Sequence, residues 1–297
     1  MQNDKLLNYL HLHFIVFIWG FTAVLGALIS IEAIPLVWYR MLMATSLIFL
    51  WVLYRKESLK FTWKTIGGFC IAGIVIALHW LAFFGAIKAS NVSVTLAIMS
   101  TGALFTSILE PIFYRRKVIW YEVMFGLIVV AGLAIIFNVE GDYFTGILLA
   151  LSASFLGALF SVINGKFAVK YKASVISLYE LGFGVLFITG YLILNGNFTA
   201  EFFVLSQNDL IYLFILASAC TAYAFIASVH VMKWISPYTV MLTINMEPVY
   251  GIILALLILG DDEYMSPQFY YGAALIIVTV VANGIVKNSL GRSKAIL

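Results

Sequence analysis

The chain has 297 residues, of which 63% are hydrophobic and only 10% charged, with a formal net charge of +3. Soluble domains carry about 25% charged residues, so this composition excludes a soluble globular protein and describes an integral membrane protein with the lipid bilayer as its first partner. The positive excess gives no reason to expect a nucleic-acid partner, because the basic residues are spread over short loops at the ends of apolar runs.

Ten apolar segments can be drawn in chain order: 12–30, 34–54, 65–87, 91–113, 119–138, 143–165, 173–194, 209–232, 237–259 and 267–287. Their runs are continuous rather than alternating and far exceed the length of a barrel strand, so the expected fold is all-α with ten transmembrane helices. The first segment lacks a small-residue cleavage site and reads as a retained helix rather than a signal peptide. Cys70 and Cys220 lie in apolar segments without C-x-x-C spacing and read as small buried hydrophobes. His11 and His13 have no third ligand nearby, so no metal and no cofactor is assigned.

The loops orient the spans. Lys5, the Arg55–Lys64 loop, Arg115, Arg116, Lys117, Lys166, Lys170, Lys172, Lys233, Lys287, Arg292 and Lys294 fall on one side, and Lys88 alone among loop cations falls on the other. The second side holds Glu32, Glu140, Asp142, Glu201, Asp209, Asp261, Asp262 and Glu263. Basic loops stay cytoplasmic, so both termini are expected in the cytoplasm and the chain in the cytoplasmic membrane.

The ninth segment is interrupted at its middle by Asn245, Glu247 and Pro248. A carboxylate at mid-bilayer is costly and survives only beside a cavity or a partner. Pro248 removes a backbone donor and biases Glu247 away from helical geometry, so a bend or break is expected there. Shifted back by 146 positions without a gap, Ser236 falls on Ser90, Val240 on Val94, Leu242 on Leu96, Ile244 on Ile98 and Gly272 on Gly126. Asp261, Asp262 and Glu263 fall on Arg115, Arg116 and Lys117, acid on base, as two oppositely inserted copies of one unit require. The expected organisation is two inverted five-helix repeats, 1–140 and 141–297, forming one transmembrane domain, with Gly102 as the first copy's hinge where the second has Pro248.

These residues resemble the EamA-type transporters of the drug/metabolite transporter superfamily. The resemblance rests on the two five-helix repeats, Trp19-Gly20 in the first helix and Arg40 before an apolar small-residue run in the second. It rests further on Pro248 within its helix and on Glu263 nine residues before Gly272. Gly102 and Lys117 depart from it, standing where the family often has proline and glutamate. The resemblance implies a secondary transporter, usually an exporter of amino acids, amines or related small metabolites.

Four intramembrane ionisable residues carry the candidate chemistry: Arg40, His79, Glu180 and Glu247. Arg40 would fix an anionic group while Glu247 or Glu180 holds an ammonium or a proton, which suits a zwitterion; equally, Arg40 and Glu180 would form a structural ion pair between the repeats. His79 is either a proton relay or a ring bonded to a backbone carbonyl. Asn164 and Asn245 are candidates to line the same cavity, and Trp19 and Trp80 are the aromatics deep enough to join it; Tyr39, Tyr179 and Tyr223 are weaker candidates. No P-loop, H-E-x-x-H or G-x-S-x-G appears, so a gradient-driven carrier of a small-molecule substrate, with protons as the candidate coupling ion, stands ahead of an intramembrane enzyme or a non-transporting membrane protein. Monomer and homodimer are both compatible with the sequence.

Overall fold

The computed structural model describes residues 2–115, 117, 120–139 and 141–293. Arg116, Glu140 and Lys294 lie outside the described residues, as do the side chains of Lys5, Asp262, Lys287 and Arg292. Among the described residues there is helix and no strand. The helices are α1 (Gln2–Leu28), α2 (Ala33–Tyr54), α3 (Trp63–Ala89), α4 (Val92–Met99), α5 (Gly102–Tyr114), α6 (Trp120–Val139) and α7 (Phe144–Ala168). They continue as α8 (Ala173–Leu194), α9 (Gln207–Ala217), a π-helical segment (Ser218–Tyr223), α10 (Ala224–Val231), α11 (Pro237–Ile244), α12 (Glu247–Ile258) and α13 (Pro267–Ser293).

Each of the ten apolar segments forms a helix or a run of consecutive helices. Eight are long and apolar enough to cross a membrane, so the chain is a multi-pass membrane protein. The other two carry shorter apolar stretches, Met124–Ile136 within α6 and Glu247–Ile258 in the interrupted ninth segment.

Two segments are broken at corresponding places. The fourth divides at Ser100–Thr101 between α4 and α5, and the ninth at Asn245–Met246 between α11 and α12. The capping residues fix the register. The Asn91 side chain accepts from the Val94 amide at 2.8 Å to open α4, and the Ser236 hydroxyl accepts from the Thr239 amide at 3.3 Å to open α11. Asn91 and Ser236 stand 145 positions apart, as do Ser100 and Asn245, one fewer than the offset of 146 that the apolar identities suggest. Gly102 consequently opens α5 at the place where Glu247, not Pro248, opens α12. Pro248 occupies the second position of its helix, where a missing N–H leaves no intrahelical bond unmade.

Packing brings the broken segments to the middle. Helix α3 lies along α7 and α8, α2 lies along α8, and α6 and α13 pair with each other. Helix α1 packs on α12 and on the α9–α10 segment, α4 on α7 and α12, and α5 on α7 and α11. Glycine permits the closest crossings, the usual device where lipid gives no hydrophobic drive for helix association. A Cβ on Gly20 would stand 3.0 Å from the Tyr250 Cβ and 3.4 Å from the Gly251 nitrogen, so α1 rides directly on α12 one turn from Glu247.

The two ends of the bundle are tied differently. At one end Asp209 accepts from the Ser30 amide and hydroxyl, both at 2.7 Å, and Lys88 donates to the Ile29 carbonyl at 2.5 Å. There the buried Glu263 carboxylate accepts from the amides of Val92 and Ser93 at 2.9 and 2.8 Å. It thus caps α4 from the far half of the chain, a charge-assisted bond to a helix N-terminus. Lys117, which stands opposite Glu263 at the offset of 146, is exposed; the offset of 145 set by the caps puts Val118 there, outside the described residues. At the other end Lys172 pairs with Glu57 at 3.3 Å, Ser174 donates to the same carboxylate, and Tyr179 donates to the Leu59 carbonyl at 2.7 Å. Glu263→Ala leaves two buried amides unsatisfied and is expected to lower stability by about 1–3 kcal/mol. A thermal-unfolding midpoint in detergent equal to that of the parent would contradict that tie.

Candidate functional site

A cavity of about 100 Å³ lies among α1, α3, α7, α10 and the two breaks, with Arg40 of α2 and Glu247 of α12 both on its wall. Trp19, His79 and Trp80 line it as well. Five of the eight expected site residues therefore meet at one place, though they come from several different segments.

Arg40 is 1% exposed, and its position is set by the π-helical turn. The Thr221 hydroxyl donates its one hydrogen to the Leu216 carbonyl at 2.7 Å, so its oxygen can serve Arg40 only as an acceptor. Arg40 Nε donates to that oxygen at 2.6 Å. The guanidinium carbon sits 4.0 Å from the centroid of the Trp80 ring and 5.3 Å from that of Phe84. Stacking of this kind stabilises a desolvated cation. Arg40 Nη1 has no partner among the described residues, so the cation is held firmly with donor capacity unspent.

Glu247 is the first residue of α12, at a helix N-terminus where the macrodipole favours negative charge. It keeps partial exposure because it faces the void. Arg40 and Glu247 act on each other electrostatically across the cavity without a direct ion-pair contact. The space between opposite charges is therefore left for something else.

Trp19 donates from Nε1 to the Cys220 carbonyl at 3.2 Å, which fixes its ring edge-on to the π-helical turn. His79 Nδ1 lies 2.7 Å from the Ala153 carbonyl; a carbonyl only accepts, so Nδ1 carries the proton and Nε2 is the lone-pair nitrogen. The backbone bond expected of a buried histidine is present, and the ring also lines the cavity. Gly157 makes room for the ring: a Cβ there would stand 3.0 Å from its Cε1.

Three expected residues are elsewhere. Glu180, on α8, is fully buried and forms no ion pair with Arg40, which removes the structural-pair alternative. The Asn164 amide faces the Glu180 carboxylate, although neither carboxylate oxygen meets a donor at full hydrogen-bond geometry. Asn164 donates to the Phe160 carbonyl at 3.4 Å along its own helix and does not reach the cavity. Asn245 closes α11 as its C-cap with its Nδ2 unpartnered, also off the cavity wall. Of the weaker aromatics, Tyr39 donates to the Phe202 carbonyl at 3.1 Å, Tyr179 to the Leu59 carbonyl, and Tyr223 meets His11, all outside this cavity.

Sequence reasoning missed Thr22, Ser161 and Met241 on the wall and Thr221 behind it. Thr22 and Ser161 carry buried hydroxyls without partners. Helical spacing could have found both, since Thr22 follows Trp19 by three positions and Ser161 follows Gly157 by four. Nothing in the sequence marks the π-helical turn that aims Thr221 at Arg40.

Residues 8–138 match the model of the EamA-like transporter family. An uncharacterized transporter of Clostridium kluyveri is 25% identical over 240 residues, 77% of this chain and 75% of its own length. Another, of Archaeoglobus fulgidus, is 20% identical over 288 residues, 93% of this chain and 95% of its own. A solved crystal structure superposes with a TM-score of 0.68 at 16% identity, covering 94% of this chain and 97% of that one, a likeness of fold alone.

Replacing Thr221 by valine keeps the shape of the side chain but strands Arg40 Nε. We expect a loss of about 1–3 kcal/mol, read as a lower unfolding midpoint, while Thr221→Ser stays near the parent. Equal midpoints for the valine and serine variants would contradict the assigned bond.

Proposed function

We propose that this chain, a member of the EamA-type transporters of the drug/metabolite transporter superfamily, is a secondary active transporter that exports a small zwitterionic metabolite, such as an amino acid, across the cytoplasmic membrane. That it is a membrane transporter follows from the family match and the transporter relatives. The observation that carries the finer reading is the Arg40–Glu247 arrangement. A cation with unspent donors and a carboxylate share one cavity, at the break of a membrane helix, with no group bridging them among the described residues. A ligand carrying a carboxylate and an ammonium satisfies both, and aromatic walls suit its apolar remainder.

Two inverted repeats, 1–140 and 141–297, account for the helix contacts. Exchanging the first five segments for the last five turns the α3–α7 contact into that of α9–α10 with α1, and the α1–α12 contact into that of α7 with α5; the α2–α8 and α6–α13 pairs map onto themselves. An odd number of spans per unit makes the units insert oppositely. The loop charges favour both termini in the cytoplasm. At about 100 Å³ the cavity holds about three waters and falls below the roughly 300 Å³ at which ligand sites begin, so substrate entry requires the halves to part.

The two breaks are not equally free to move. The Met99 carbonyl, released at the first break, accepts from the Ser154 hydroxyl at 3.2 Å, and Thr101 bonds the same hydroxyl at 2.9 Å. Asn245 at the second break has an unpartnered amide nitrogen. The second break, at Pro248, is in our reading the working hinge and Gly102 the passive one. Substrate contact belongs to Arg40 and Glu247, not to Glu180 and Asn164. Glu247 is also the candidate carrier of a coupling proton, as an acid that alternates between a wet and a sealed environment.

In proteoliposomes, an amino acid that is transported is expected to compete at least about tenfold better than its decarboxylated or its deaminated analogue, about 1.4 kcal/mol for each lost charge. Equal competition by all three would overturn the zwitterion assignment. Glu247→Gln is expected to flatten the dependence of transport on pH between about 5.5 and 8, and Arg40→Lys to raise the apparent KM by about tenfold or more. Unchanged pH dependence in the glutamine variant excludes proton coupling through this residue.

A further inference from the structure

A second and larger cavity, about 910 Å³, lies apart from the one just described. It opens at the end of the bundle that carries Arg55, Lys170, Lys172 and Lys233, all on its wall. Helix α2 packs against α9 and the π-helical segment but leaves α10, so the two segments are closed in one half of the membrane and splayed in the other. The π-helical turn at Ser218–Tyr223, which adds a residue to its turn and redirects the chain, lies where they part.

The cleft has two layers. Its rim is cationic: Lys172 is neutralised by Glu57 at 3.3 Å, which leaves Arg55, Lys170 and Lys233 exposed and without a carboxylate partner among the described residues. Its deeper wall, towards the middle of the membrane, is mainly apolar: Leu47, Ile48, Ala222 and Ile226, with the Ser218 hydroxyl turned back onto the Phe214 carbonyl; Tyr223, His11 and His230 also line the cleft. Trp51, at the rim, is 48% exposed and sits under the Arg55 guanidinium at 5.7 Å, at the headgroup level that tryptophan prefers. A soluble anion could use the rim alone. The apolar depth needs a hydrocarbon.

We propose that this cleft binds an anionic phospholipid of the adjacent leaflet, its phosphate held by Arg55, Lys170 and Lys233 and one acyl chain lying against Leu47, Ile48 and Ile226. Charge complementarity selects an anionic over a zwitterionic headgroup, since an anionic lipid answers more of the rim's positive charge. A chain wedged between α2 and α10 holds them apart, so the lipid binds preferentially to the conformation in which this half of the membrane is splayed. The site does not depend on the identity of the transported substrate.

The test is native mass spectrometry and thermal unfolding of the full-length protein, with phosphatidylglycerol, phosphatidylcholine or inorganic phosphate added. Phosphatidylglycerol is expected to remain bound and to raise the unfolding midpoint, whereas phosphatidylcholine and phosphate have little effect. The triple variant R55Q/K170Q/K233Q is expected to lose phosphatidylglycerol affinity by about tenfold or more. Ile226→Trp, which fills the apolar layer and keeps every charge, is expected to lose it as well, and serves as a second reading should the triple variant fold poorly. A phosphatidylglycerol effect matched by phosphatidylcholine or by inorganic phosphate, or one retained in Ile226→Trp, overturns the proposal. Both readouts are free of any transport assay, so a failed substrate assignment and a failed lipid site give different results.

Discussion

Water is scarce at the depth of these helices, so a backbone group released by an interruption needs a partner from the protein or from a wet cavity. That constraint organises the centre of this molecule. The first break is answered by Ser154, which serves both Met99 and Thr101. The π-helical turn is answered by Thr221, whose hydroxyl satisfies the Leu216 carbonyl and thereby becomes an acceptor for Arg40. The arginine is thus a consequence of an irregular helix as much as its stabiliser. Arg40 Nη1 stays unpartnered among the described residues, and Arg40 shares the cavity wall with Glu247, which the second break places there.

Neighbouring contacts support that geometry in layers. Trp80 lies beneath the guanidinium at 4.0 Å, Trp19 is pinned to the Cys220 carbonyl, and Gly20 lets α1 approach α12 closely enough to steady the start of that helix. Further out, Glu263 and Asp209 bind the loops of opposite halves at one end of the bundle. The other end has the Glu57–Lys172 contact and a deep cleft beside it.

Much of this was legible in the sequence. Continuous apolar runs pointed to the helices. Glu247 beside Pro248 pointed to the broken ninth segment, because an unbroken helix facing lipid would carry the cost of a buried charge and of a missing backbone donor at one place. Arg40 and His79 were singled out by the same logic of cost and Trp80 by its depth in its segment, and all three line the cavity. The register of the two breaks was missed by one residue, since apolar identities are cheap in any membrane helix while the capping roles of Asn91 and Ser236 are visible only in three dimensions. Glu180 and Asn164 were misplaced for a related reason: composition tells that a polar group is buried, not which side of its helix faces the void. The π-helical turn left no trace, because Ser218–Tyr223 is ordinary helical sequence and its geometry comes from its packing against α1 and α2.

The central claim is that the space between Arg40 and Glu247 is reached in turn from each side of the membrane. A single cysteine at Ser161, on the cavity wall, in a background lacking Cys70 and Cys220, can be labelled with a membrane-impermeant thiol reagent applied from either face. Reaction from both faces, slowed in each case by transported substrate, is the expected result. Reaction from one face only, or from neither, would mean that the cavity is a sealed or one-sided void and that the two halves do not alternate.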